Sequence, residues 1–138
     1  VVLLAPQTYM NRSGDAVGEM MRFHKAGVED LLVVLDDMAL PPGEVRIRAG
    51  GSAGGHNGLT DVHRALGTQD VPRLRIGIGP APARMDPADY VLGKIGPDEE
   101  TLLAEGVEQA ARAVEIWLFD GVRTAMDTYN RKATPDQR

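Results

Sequence analysis

Ala49-Gly50-Gly51-Ser52-Ala53-Gly54-Gly55-His56-Asn57-Gly58-Leu59 sets five glycines and two polar side chains immediately before an amphipathic run. Glycine loses more freedom on folding than any other residue and is kept where a Cβ would block a conformation or a close approach. The stretch therefore reads as the wall of a site rather than as a spacer. It lacks the terminal Gly-Lys-Ser/Thr of a P-loop and the Gly-x-Gly-x-x-Gly spacing of a dinucleotide fold. Asn57 also admits a purely structural reading as N-cap of a helix over residues 58–66, since Asn is among the best caps.

Outward from this loop, residues 44–48 and 73–78 alternate in polarity. The period of two places Val45 and Ile47 on one face and Arg46 and Arg48 on the other, with Leu74, Ile76 and Ile78 opposed to Arg73, Arg75 and Gly77. These strands are expected to show their arginines to solvent. Residues 1–4 and 31–35 are continuous apolar runs, the signature of strands buried on both faces between helices. Helices fill the intervals. Ser13 is expected to cap one through about His24, leaving at Gly27, with Val17, Met20, Met21 and His24 at helical spacing. Leu59, Val62 and Leu66 stripe a short one stopped by Gly67. A long one follows Pro97, with Leu103, Val107, Ala110, Val114 and Trp117 on one side, and a last one from Val122 brings Ala125, Met126 and Tyr129 together. Pro80-Ala81-Pro82-Ala83-Arg84-Met85 breaks regular structure and reads as a flap or a plain surface connection.

Composition bounds the answer to one modest domain. A 138-residue chain that is 43% hydrophobic can build a single core. It has no cysteine, hence no disulfide, no thiolate nucleophile and no Cys-based zinc site, which suits a reducing cytoplasm. Its apolar runs are too short to span a bilayer as a helix. The net charge of −5 argues against indiscriminate coating of nucleic acid, but the charge is polarised. Residues 45–84 hold six arginines against two aspartates, and the other residues hold nine basic and eighteen acidic groups. A basic patch on an acidic body suits localised phosphate contact, and arginine is the better fork for phosphate oxygens.

Taken in order, Thr8-Tyr9-Met10-Asn11-Arg12-Ser13-Gly14, the strand ending in Asp36-Asp37 with Leu40-Pro41-Pro42-Gly43 after it, the glycine loop, and Arg73-Leu74-Arg75-Ile76-Gly77-Ile78-Gly79 resemble the bacterial peptidyl-tRNA hydrolase family. The family pattern reads P-x-T-[FY]-M-N-x-S-G, a strand ending in Asp with L-P-P-G, then G-G-x-x-G-H-N-G and R-[LI]-R-[IV]-G-I-G. The resemblance implies an α/β fold over residues 1–130, one domain, with a twisted mixed sheet flanked by helices on both faces; the polar stretch 131–138 reads as a disordered tail. It implies hydrolysis of the ester between a peptide's carboxyl and the 3′ ribose of tRNA, recycling tRNA for translation in the cytoplasm. A monomer with no cofactor and no metal is expected, meeting the tRNA 3′ end and acceptor stem. The 80–90 segment corresponds to the family's lid.

That reaction needs a base for water, a group that holds the base in the correct form, and donors for the oxyanion. Asp36 follows a buried strand, the usual place for a functional carboxylate in an open α/β sheet. In the family the matching aspartate hydrogen-bonds the catalytic histidine, and alignment on Leu-Pro-Pro-Gly selects Asp36 over Asp37. Asn11 and Asn57 can orient water and carbonyls without adding charge. By resemblance, Tyr9, Asn11 and Asn57 contact the tRNA 3′ end or the peptide, Met10 shapes the cleft, and Arg48 and Arg75 approach phosphates. A cap role for Asn11 and packing roles for Tyr9 and Met10 are the structural alternatives. The family's histidine sits in a Thr-Arg-His-Asn segment ahead of the Thr8 motif, and none of His24, His56 or His63 has that setting. The chain is accordingly expected to be a truncated form without the first strand and the base, of poor stability and negligible activity. A tRNA-binding remnant without catalysis is the alternative function, and His56 as substitute base a third.

Overall fold

A computed structural model of the chain describes residues 1–6, 12–79 and 97–130. Its elements run α1 (Ser13–His24), a 3-10 turn (Val28–Asp30), β1 (Val33–Asp37), β2 (Val45–Arg48), α2 (Asn57–Leu66), β3 (Arg73–Gly77), α3 (Pro97–Asp120) and α4 (Val122–Tyr129). This is an α/β chain. Its contacts divide it into two compact units, one of Val1–Val33 with Ala49–Pro72, the other of Val34–Arg48 with Arg73–Arg138.

In the first unit α1 packs on α2. Val17, Val62 and Val71 form the buried centre, and Met21, Val28, Leu31, Val33 and Leu66 close around it. The α1 stripe is displaced from expectation, with Gly14, Val17 and Gly18 buried and His24 exposed. Its caps differ too. Arg12 rather than Ser13 precedes the first turn and gives no side-chain hydrogen bond, and the helix leaves at Lys25 in the left-handed region rather than at Gly27. Gly67 ends α2 as expected, its N–H donating to the His63 carbonyl at 2.8 Å. Residues 1–4 overturn the buried-strand reading, for they hold no strand and Val1 and Leu3 are 95% and 90% exposed. Apolar β-formers make a strand only against a pairing neighbour and a covering layer.

The sheet, which apart from Val33 lies in the second unit, has the order β1-β3-β2 among the described residues. The β2–β3 pair is antiparallel, Val45 opposite Ile76 and Ile47 opposite Leu74. Val33 N–H donates to the Pro72 carbonyl before β3 and Ile78 N–H to the Asp37 carbonyl after it, so β1 and β3 run in the same direction and the sheet is mixed. β1 starts two residues later than the apolar run and is not buried throughout, since Leu35 is inside while Val34 is half exposed. Ile47 and Leu74 are wholly buried. On α3 the inward residues are Gly106, Ala110 and Ala113, whereas Val107 is 57% exposed. The expected large apolar stripe is thus a small-residue one, letting the helix come down on the Gly43 backbone. α4 packs on β2 and α3, with Ala125 wholly buried.

Two clamps hold the turns of this unit. Gly43 N–H donates to the Gly77 carbonyl at 2.9 Å, Gly77 N–H to Glu44 at 2.7 Å and Gly79 N–H to Leu40 at 2.9 Å. The Leu-Pro-Pro-Gly turn is thereby laced to the end of β3. The outer edge of β2 is answered by a side chain, with Ile47 N–H donating to Asn130 Oδ1 at 2.9 Å and Asn130 Nδ2 donating to the Ile47 carbonyl at 2.6 Å. An amide here stands in for a neighbouring strand.

Candidate functional site

The glycine loop ends at α2, and the cap of that helix is His56. Its Nδ1 accepts from Leu59 N–H at 3.2 Å, and its carbonyl accepts from Thr60. The Nδ1 of His56 is thus taken up by the cap. Asn57 is the first helical residue and not the cap. It is exposed, and among the described residues its amide takes no hydrogen-bond partner. Gly51 and Gly55 have φ of 120° and 86°, with open space where a Cβ would stand. Their freedom therefore serves the turn of the loop. His63 is buried within α2, and His24 stands exposed at the end of α1, edge-on to Phe23.

Behind the start of α2 lies an ionic knot that the sequence reading missed. Gly14 N–H donates to Asp61 Oδ2 at 2.7 Å, Arg64 Nε reaches Asp61 Oδ1 at 2.7 Å, and Arg64 also meets Asp15 at 2.9 Å. The Arg64 hydrogen bond holds the Asp61 carboxyl below its usual range, burial opposes this, and the Gly14 amide adds to it. A carboxyl depressed on folding contributes stability that is present above its unfolded value of about 3.9 and lost as pH falls through the folded one. Asp61→Asn should accordingly flatten the pH dependence of the urea midpoint below about pH 4. Equal slopes in parent and variant would show that Asp61 carries no such linkage.

In the second unit Asp36 and Asp37 end β1, beside the parallel end of β3. Adjacent strand residues face opposite ways, and their surroundings differ. Asp37 Oδ2 pairs with Arg75 at 3.1 Å and Oδ1 accepts from Ala39 N–H at 2.8 Å. Asp37 is thus held by two partners, and Asp36 lies half-buried on the other face.

The arginines form one face of the β2–β3 ladder. Arg46 lies opposite Arg75 and Arg48 opposite Arg73. The expectation that all face solvent fails for Arg73, which is 1% exposed on β3, the central strand flanked by β1 and β2. Burial, then the charges of Arg75 and Arg48, pull the Arg73 guanidinium below its ordinary range. Arg48 is exposed, Arg75 has a side chain 22% exposed, and Arg46 pairs with Glu44 at 3.4 Å. The Nε–H groups of Arg46 and Arg75 are buried without acceptors among the described residues. Like charges directly opposite repel, so a phosphate over this face would offset a repulsion built into the ladder.

A sequence model of the family described as peptidyl-tRNA hydrolase matches residues 1–137. The chain belongs to the peptidyl-tRNA hydrolase family. The peptidyl-tRNA hydrolase of Anaeromyxobacter dehalogenans is 47% identical over 133 residues, which is 96% of this chain and 69% of that one. That of Chloroflexus aurantiacus is 50% identical over 131 residues, 94% of this chain and 70% of the relative. The crystal structure of peptidyl-tRNA hydrolase from Acinetobacter baumannii superposes with a TM-score of 0.83 at 35% identity, covering 91% of this chain and 64% of that chain. The chain thus spans just under two thirds of that solved structure. These matches give no support to the inactive remnant, nor by themselves to an absent N-terminal segment.

Of the family's motif residues, Asp36, Arg48, Asn57 and Arg75 are described, whereas Tyr9, Met10 and Asn11 lie outside the described residues, as do the 80–90 flap and the 131–138 tail. Each unit joins two motifs. Thr8–Gly14 meets the glycine loop's helix through Gly14 and Asp61, and Leu-Pro-Pro-Gly meets Arg73–Gly79 through its backbone clamp. The bonds of Asp61, Asp37 and Asn130 were not found by sequence reasoning. Their partners stand 47, 38 and 83 residues away, and no local pattern announces a bond of that span.

Proposed function

We propose that this protein hydrolyses the ester linking a peptide, or an N-blocked aminoacyl group, to the 3′ ribose of tRNA, releasing both. Asp36 keeps an imidazole base in its acceptor tautomer and stabilises the imidazolium that forms. Asn57, with Asn11, donates to the ester carbonyl and orients water, Tyr9 and Met10 shape the cleft for the terminal adenosine and the peptide, and Arg48 and Arg75 receive phosphates of the acceptor stem. The peptidyl-tRNA is the partner, and the site of action is the cytoplasm. The observation that carries the reading is the Asn57 amide, released from capping by His56 and left exposed at the start of α2. Cleavage of N-acetylated aminoacyl-tRNA, measured beside a salt titration of tRNA binding, tests it. Salt-dependent binding without turnover would favour the remnant, and neither would overturn both.

The arginines give a graded expectation. For every phosphate no longer held, the slope of log K on log salt should fall in magnitude by about one. Arg48→Ala should show this in full, because its guanidinium is exposed. Arg75→Ala should show less, since Asp37 already competes for that side chain. Unaltered slopes in both would place the tRNA surface elsewhere.

A further inference from the structure

We propose that Asp61 is a positioning residue of this site, fixing the starts of α1 and α2 in one arrangement so that Asn57 is presented at a set place beside the end of the Thr8–Gly14 motif. The inference rests on the reading of Asn57 as a substrate contact. Four observations in the first unit carry it. Among the described residues Arg12 at the N-cap of α1 makes no side-chain capping bond, and the carboxylate that meets the helix's second N–H comes from α2. A negative group at that end is favoured by the helix dipole. Gly14 lies so close to α2 that a Cβ would collide with the Asp61 carbonyl oxygen and come within 2.8 Å of the Ala65 methyl. The two helices therefore meet backbone to backbone, with no flexible side chain to absorb an error.

Asp61 is itself immobilised. Arg64 grips both carboxylate oxygens, Nε to Oδ1 at 2.7 Å and Nη2 to Oδ2 at 3.2 Å, while Nη2 also reaches Asp15 Oδ1 at 2.9 Å in the first turn of α1. One guanidinium thus ties that turn to the α2 carboxylate that receives Gly14. Asp61 stands four residues after Asn57, about one helical turn. The lever from Gly14 to Asn57 is consequently a single rigid turn of α2. A site group must be held within about half an ångström of its working position by supporting bonds of this kind, and a group misplaced by about 1 Å can lose about a hundredfold in rate.

The test is a double-substitution cycle on N-acetylated aminoacyl-tRNA, run where circular dichroism shows every variant folded. Asp61→Ala should lower kcat/KM by roughly tenfold in the native background and by less than about twofold in the Asn57→Ala background, since a residue acting through Asn57 has nothing left to position. Asp61→Asn, which keeps an oxygen for the Gly14 N–H, should recover most of the loss. Equal losses in both backgrounds, or an Asp61→Ala protein of reduced thermal midpoint but near-parent kcat/KM, would overturn the proposal. If Asn57→Ala alone leaves activity unchanged, the substrate reading of Asn57 fails, and backbone amide chemical shifts then judge Asp61. Asp61→Ala should move the Gly14 and Asn57 resonances together, whereas a change confined to Gly14 would leave Asp61 a cap and nothing more.

Discussion

Asn57→Ala is expected to lower kcat/KM for N-blocked aminoacyl-tRNA by about a hundredfold, the loss typical of one oxyanion donor removed, while leaving the thermal midpoint close to the parent's. The two halves come from one geometric fact. Had Asn57 been the cap of α2, its removal would cost about 1 kcal/mol of stability and any activity loss could be a folding loss. The capping bond is instead made by His56 to Leu59 N–H. His56→Ala is therefore the matched control, expected to lower stability by about 1 kcal/mol and to affect turnover only through α2. Kinetics and thermal melts on both variants separate the roles. A destabilised Asn57→Ala protein with parent activity per folded molecule would remove Asn57 from the chemistry.

The elements were legible where one periodicity dominated. The Leu59, Val62 and Leu66 stripe with Gly67 behind it located α2 to within a residue of its start, and the alternation of Val45 and Ile47 with Arg46 and Arg48 located β2. Legibility failed where burial depends on position in the sheet. Arg73 and Arg75 have the same spacing as Arg46 and Arg48, but only strand order tells that the first pair lies on the central strand and the second on an edge. It failed again on α3, where Val107 reads as core and is outside, because the inward stripe is set by the close approach to Gly43 and not by hydrophobicity. Residues 1–4 read as a buried strand on propensity alone, and no ladder forms there. For the candidate site, the motifs proposed Asp36, Arg48, Asn57 and Arg75, with Tyr9, Met10 and Asn11 outside the described residues. The groups that hold them could not be named, since Asp61, Asp37 and Asn130 act through bonds that close only when distant segments meet.

Asp36→Asn is expected to lower kcat by roughly tenfold or more while tRNA affinity barely changes, because a carboxylate that stabilises a developing imidazolium acts in the transition state and not in binding. Its neighbour supplies the contrast. Asp37 is the same residue type one position along, on the opposite face, with its two oxygens held by Arg75 and the Ala39 N–H. Asp37→Asn removes the charge that competes for Arg75, so it should leave kcat near the parent value and tighten tRNA binding at low salt by a few-fold, with a steeper salt dependence. The two substitutions remove equal charge from adjacent positions on opposite faces of β1, and a general electrostatic effect would act on both alike. Opposite outcomes, one in turnover and one in binding, would therefore assign the chemistry to the face that carries Asp36. Parallel outcomes, or unchanged turnover in Asp36→Asn, would take Asp36 out of the mechanism.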